Sequence, residues 1–275
     1  MEDALKELYT KNMDYNTFIE KLRRLVLNEM EDMVEHRYKV NCVISNNLKK
    51  DCLAYTKSFT EIGLSEELVK RIYNKDKLSF FVILHELEKI YQNYLINVCL
   101  LDPNTIKILK EKLVLEIDGE ENAEEDYCGY YSNSYYTSTS EILATRYAYM
   151  DIIDLFDDIG INLSEKEKEY IVMQLELNRK LYEMTAGNTK NCVFVNGYDI
   201  DFDDYFEQVI YEHPEWIKDY PQLSIEFYVT EDGKVLKRDN IELMNLYRES
   251  EYEEEKKYIE YLIAHNKKNK VRIYS

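Results

Sequence analysis

The sequence predicts an α+β fold, mainly helical, organised round one buried helix, with a small antiparallel sheet or hairpins lying mostly toward the C-terminus. Three observations carry this. Only 7 glycines and 3 prolines interrupt 275 residues, and chains poor in breakers sustain long helices. The stretch Leu78–Leu101, LSFFVILHELEKIYQNYLINVCLL, is the longest strongly apolar segment. In it Phe80, Leu84, Leu87, Tyr91, Tyr94 and Val98 recur at steps of three and four and so share one apolar face. Toward the C-terminus, Asn196-Gly197 between Cys192–Val195 and Tyr198–Phe202 is a strong two-residue hairpin signal. Glu231-Asp232-Gly233 offers a second turn, between Leu223–Val229 and Lys234–Lys237. Residues 1–186 therefore read as a mainly helical domain, and 187–275 as a smaller α+β region with two hairpins and an acidic C-terminal helix.

In chain order, Glu2–Tyr38 keeps helical spacing with a break near Asn12–Asn16. Tyr38–Ser45 alternates and is rich in β-branched residues, which predicts a short strand; Leu53–Ile62 has room for a second. Ser65, followed by Glu66 and Glu67, starts a short helix, and Asp76 caps the central one. Asp102-Pro103 stops the central helix, and Thr105–Leu115 is again amphipathic. Glu116–Asp126 is an acidic run that reads as a solvated loop. Ser138 opens a helix to Gly160 on which Glu141, Ala144, Ala148, Ile152 and Leu155 share a face, and Ser164 opens another through Thr185. Asp199, Asp201, Asp203 and Asp204 resemble calcium-loop acids, but the loop lacks the glycine and the closing glutamate that such a loop needs. Asn240–Asn266 reads as one helix with an acidic middle.

The net charge of -19 and a pI near 4.7 argue against direct nucleic-acid binding through a basic surface. The same acidity suits a surface that imitates nucleic acid. Five cysteines, an odd number with no CxxC pair, suit thiols in a reducing cytoplasm. The N-terminus MEDALKELYTKN has no apolar signal core. The charged residues His85, Glu86, Glu88 and Lys89 inside the apolar segment argue against membrane insertion.

Those residues are also the main clue to function. His85-Glu86 places an ionisable pair in an apolar helix, where each group costs several kcal/mol, roughly, unless it is compensated. Glu88, three residues after His85, lies on nearly the same face and offers a carboxylate ligand. Tyr127, Tyr130, Tyr131, Tyr135 and Tyr136 form a tyrosine-rich stretch that reads either as a contact patch or as rings covering the core. Ser138-x-x-Glu141 reads as a capping box.

His85-Glu86-Leu87-Glu88-Lys89, followed by Tyr91-Gln92 and, downstream, Glu141-Ile142-Leu143-Ala144, resembles the short intracellular zinc-metallopeptidase-like proteins of phages and mobile elements in low-GC bacteria. Their helix carries HExxH and a later ExxA supplies a ligand. The resemblance covers roughly Ala54–Phe156 and implies a mainly helical fold with a small sheet. It implies His85 and Glu141 as zinc ligands, Glu88 as a substitute ligand, and Glu86 as the base acting on a metal-bound water. Lys89 stands where the second histidine belongs, and a protonated lysine has no lone pair for zinc. Its ammonium is expected instead to replace the metal's charge, pairing with Glu86 or Glu141. The expectation is a catalytically impaired, zinc-peptidase-like scaffold without a cofactor, cytoplasmic, binding another protein. Two alternatives stand beside it: an acidic anti-defence inhibitor, of the anti-CRISPR kind, that occupies a basic groove of a host protein; and an active zinc peptidase with a variant ligand set.

Overall fold

Aspartate and serine side chains set several of the helix starts in the computed structural model, which describes residues 1–46, 48, 52–97, 139–186 and 202–272. The chain divides into two units, Met1–Leu115 with Leu143–Lys168, and Glu116–Ile142 with Glu169–Ser275. The fold is α+β and mainly helical, as expected.

In the first unit, α1 (Glu2–Thr10) buries Leu5 and Leu8. α2 (Tyr15–Met33) starts at Asp14, whose carboxylate accepts from the Thr17 amide at 3.1 Å and from its hydroxyl at 2.6 Å. The break expected near Asn12–Asn16 is thus a helix start. β1 (Asn41–Ser45), β2 (Ala54–Ser58) and β3 (Glu61–Ser65) form a sheet in the order β1-β3-β2. β1 runs parallel to β3 from Asn41↔Glu61 to Ser45↔Ser65, and β2 runs antiparallel to it with a slip between Thr56 and Ser58. The single strand expected within 53–62 is therefore two strands and a turn. The Tyr55 ring lies directly over Gly63, where a Cβ would come within 1.9 Å of it.

Ser65 caps α3 (Glu66–Tyr73), accepting from the Leu68 amide at 3.1 Å. Asp76 accepts from the amide and hydroxyl of Ser79 at 3.2 and 2.7 Å ahead of α4 (Phe80–Asn97). α4 lies against β2 and α2. It buries Phe80, Ile83, Leu84, Leu87, Ile90 and Tyr94, whereas Tyr91 is 43% exposed. The buried stripe runs through Ile90 rather than Tyr91, a displacement of one residue or about 100°; Val98 lies outside the described residues. α5 (Thr139–Asp158) buries Ala144, Ala148, Ile152 and Phe156 and is followed by Gly160 at φ 70°. Phe156 meets the Tyr9 ring edge-on at 5.0 Å. α6 (Glu165–Ala186) begins with a reciprocal cap. The Ser164 amide donates to Glu167 at 2.7 Å, and the Glu167 amide donates to the Ser164 hydroxyl at 3.3 Å.

The second unit departs further from expectation. The Asn196-Gly197 hairpin lies outside the described residues, as do Asp199 and Asp201, but Phe202 opens a helix, α7 (Phe202–Glu212), rather than closing a strand. Asp203 and Asp204 lie in its first turn. α8 (Trp216–Asp219) and α9 (Pro221–Glu226) follow. The strand expected over Leu223–Val229 shrinks to β4 (Phe227–Val229), because Pro221 starts a helix and Gln222, Leu223, Ile225 and Glu226 are all buried instead of alternating. β4 pairs antiparallel with β5 (Val235–Lys237) through a turn in which Gly233 takes φ 82°. The expected single C-terminal helix is two, α10 (Asn240–Glu249) and α11 (Glu253–Arg272). Ser250 is extended, and its hydroxyl accepts from the Tyr252 amide and donates to Glu255. One core joins Met173, Leu177, Phe206, Val209, Trp216, Leu223 and Phe227; another joins Ile225, Leu243, Tyr258, Ile259 and Leu262. Among the described residues, no helix is long and apolar enough to cross a membrane.

Candidate functional site

The polar residues of α4 turn toward two neighbours. Successive residues of a helix point about 100° apart, so His85 and Glu86 meet different elements. His85 Nδ1 lies 3.3 Å from the Thr145 hydroxyl on α5, and its ring lies against Phe81 with centroids 5.8 Å apart. Phe81 in turn stacks on Tyr149 at 3.9 Å. Glu86 is 5% exposed. Thr56 of β2 is its partner, with the hydroxyl 2.7 Å from Glu86 Oε2 and 3.0 Å from the Glu86 carbonyl. A hydroxyl has one hydrogen to donate, so it is shared between the two acceptors.

Glu88 joins His85. Burial pushes its carboxyl up to about 7, the charge of Asp151 on α5 adds to the rise, and His85 opposes it. Burial and then Asp154 also raise Asp151. The half-buried Glu88 carboxyl thus lies within electrostatic reach of Asp151, which raises it, and of His85, which lowers it.

A zinc ion needs three or four nitrogen, oxygen or sulfur donors at about 2.0–2.3 Å. Among the described residues, no three His, Cys, Asp or Glu side chains come together as such a group. Lys89 has no lone pair when protonated, and the carboxylate of Glu86 is engaged by the strand. No protein-family model, curated protein or solved structure matches the chain.

The hydrogen bonds of Glu86 are to Thr56, whereas the sequence suggested an ion pair of Lys89 with Glu86 or Glu141. Glu141 is 4% exposed in the first turn of α5. Its expected capping partner Ser138 lies outside the described residues, as do Tyr127, Tyr130, Tyr131, Tyr135 and Tyr136.

Sequence reading missed a buried charge network in the second unit. Lys180 on α6 reaches Glu226 on α9 at 2.7 Å, with Glu176 at 3.9 Å, and sits 4.2 Å over the Phe206 ring. Lys237 on β5 joins Glu226 at 3.2 Å and Glu207 at 2.6 Å. Arg179 grips Glu176 with two hydrogen bonds of 2.6 and 2.7 Å. Burial opposes ionisation of Glu226, but Lys180 and Lys237 outweigh it and hold the carboxyl below its usual range. The one signal available in sequence was the i, i+4 pair Glu176–Lys180; Glu226 lies 46 residues further on.

Proposed function

We propose that this chain is a protein-binding factor on a zinc-peptidase-like helix and sheet, with the hydrolytic chemistry disabled. The observation that carries the reading is the hydrogen bond from Thr56 to Glu86. The residue at the position of the general base is buried and tied to β2, where it stabilises the seam between strand and helix. Lys89, in place of a ligand histidine, supports the same reading. In this view Glu86 and Thr56 have become a structural pair, and the molecule acts by presenting surface to an intracellular protein partner.

The test combines metal content with partner capture. Protein purified without chelator or added metal is assayed for zinc by elemental mass spectrometry, and then for hydrolysis of unstructured peptides. The expected result is well under one zinc per chain and no cleavage, for the parent and for Glu86→Gln alike. About one zinc per chain, with cleavage lost in Glu86→Gln, overturns the proposal in favour of an active peptidase with a variant ligand set. Affinity capture at low and high salt then characterises the partner. Binding that collapses steeply with salt favours the acidic-mimic alternative, because exposed charge pairs are screened over about 8 Å at physiological ionic strength.

A further inference from the structure

His213 follows α7 and carries a contact on each ring nitrogen. Nε2 lies 2.9 Å from Glu169 Oε2 on α6, and Nδ1 lies 3.3 Å from Glu215 Oε1 just ahead of α8. The ring stacks on Trp216, with centroids 4.2 Å apart and planes 24° apart. Trp216 belongs to the core of the second unit and meets Tyr170 of α6 edge-on at 5.8 Å. The hydroxyl of Tyr170 pairs with that of Tyr220 at 2.7 Å. Glu212, the adjacent acid at the end of α7, is engaged by Gln208 at 2.9 Å. Among the described residues, the charged groups in contact with His213 are Glu169 from α6 and Glu215 from the turn into α8.

An ionised carboxylate only accepts hydrogen bonds, and a neutral imidazole carries a single N–H. Both contacts are hydrogen bonds together only when both ring nitrogens donate, which is the imidazolium form. The stack on the indole favours the same form, since a cation over an aromatic face gains electrostatic attraction. We propose that His213 is a pH-operated latch: protonated, it clamps α6 to the start of α8 through Glu169, Glu215 and Trp216; neutral, it releases one carboxylate. Glu215 is the partner that swings out, since its side chain is 52% exposed against 18% for Glu169. Histidine is the side chain that in general changes charge between about pH 5 and 8.

The protein has one tryptophan, which lies in the latch. Imidazolium stacked on indole quenches its emission more strongly than neutral imidazole does. Trp216 emission of the full chain should therefore rise in a single step between about pH 5 and 8, and the step should vanish in His213→Gln. In Glu169→Gln the step should move to lower pH. The parent should melt above His213→Gln by about 2–4 °C at the acidic end, with the gap closing at the alkaline end. Emission that does not change with pH, a step retained in His213→Gln, or a constant melting gap overturns the proposal. If His213→Gln fails to fold, ring nitrogen shifts of the parent decide. Two N–H signals at the acidic end and one at the alkaline end are expected; one N–H throughout defeats the latch.

Discussion

Lys180→Met would remove the central cation of the buried network and leave Glu226, 2% exposed, with only part of its compensation. The lost contact spans 2.7 Å, which at an effective dielectric of ~20 corresponds to about 6 kcal/mol of gross attraction. Lys237 remains 3.2 Å from the other carboxylate oxygen of Glu226 and recovers some of it. Breaking a buried pair from one side costs about 3–5 kcal/mol, and that is the loss expected in urea unfolding followed by circular dichroism at neutral pH. The double variant Lys180→Met, Glu226→Leu should be far less damaged, within about 2 kcal/mol of the parent, because a buried pair replaced by apolar groups of similar volume is often neutral. Lys237 would keep Glu207 as its partner. The pH dependence follows from the depressed carboxyl of Glu226. Its contribution is complete above the ordinary glutamate value of about 4.3 and drains away as pH falls through the lower folded value. The parent should therefore lose more stability than Lys180→Met on acidification below that point. A single variant within about 1 kcal/mol of the parent, or a double variant as weak as the single, would refute the reasoning.

Three further outcomes are expected. Glu88 has a folded value raised to about 7, so its cost to stability is absent below about 4.5, grows as pH rises, and is complete above 7. Glu88→Gln should accordingly gain about 1–3 kcal/mol over the parent at pH 8 and nothing at pH 4, and equal gains at both pH values would count against the assigned environment. Thr56→Val deprives buried Glu86 of its hydroxyl donor and should cost about 1–3 kcal/mol. Thr56→Ser should retain most of that in thermal melts, and an equal loss in both variants would point to the methyl group instead. Gly63→Ala drives a methyl group into the Tyr55 ring and should cost about 1–3 kcal/mol by overpacking; pairing it with Tyr55→Ala should recover part of the loss in the same melts, whereas no recovery would locate the strain elsewhere.

The legible parts of the fold were those written in neighbouring residues. Ser65, Asp76 and Ser164 each sit beside the amides they bond, so their helix starts could be read directly. The central helix was readable for the same reason, although the choice between Ile90 and Tyr91 as its buried residue depended on what α4 meets. Leu223, Ile225 and Phe227 alternate like a strand, but the burial of Gln222 and Glu226 follows from contacts formed elsewhere. The two C-terminal helices merged because Ser250 breaks them with hydrogen bonds rather than with a proline or glycine. At the candidate site, His85 and Glu86 announced themselves as ionisable residues in apolar surroundings. Their partners Thr145 and Thr56 did not, since a threonine at long sequence distance carries no local mark.

The edge-on meeting of Tyr9 with Phe156, and the ion pair of Lys77 with Glu167 at 2.8 Å, set an order on the birth of the molecule. The first unit draws its opening helix and its closing helix from segments made far apart in time. Chain synthesis runs from the N-terminus at about 5–20 residues per second, so α1 to α4 emerge first, and Tyr9 and Phe81 wait for the rings of α5 that they meet. Contacts of such long range also pay loop-closure entropy before they give any return. Nascent chains halted before residue 139 should therefore be more aggregation-prone and protease-sensitive, with Phe81, which stacks on Tyr149, covered only once α5 has been made.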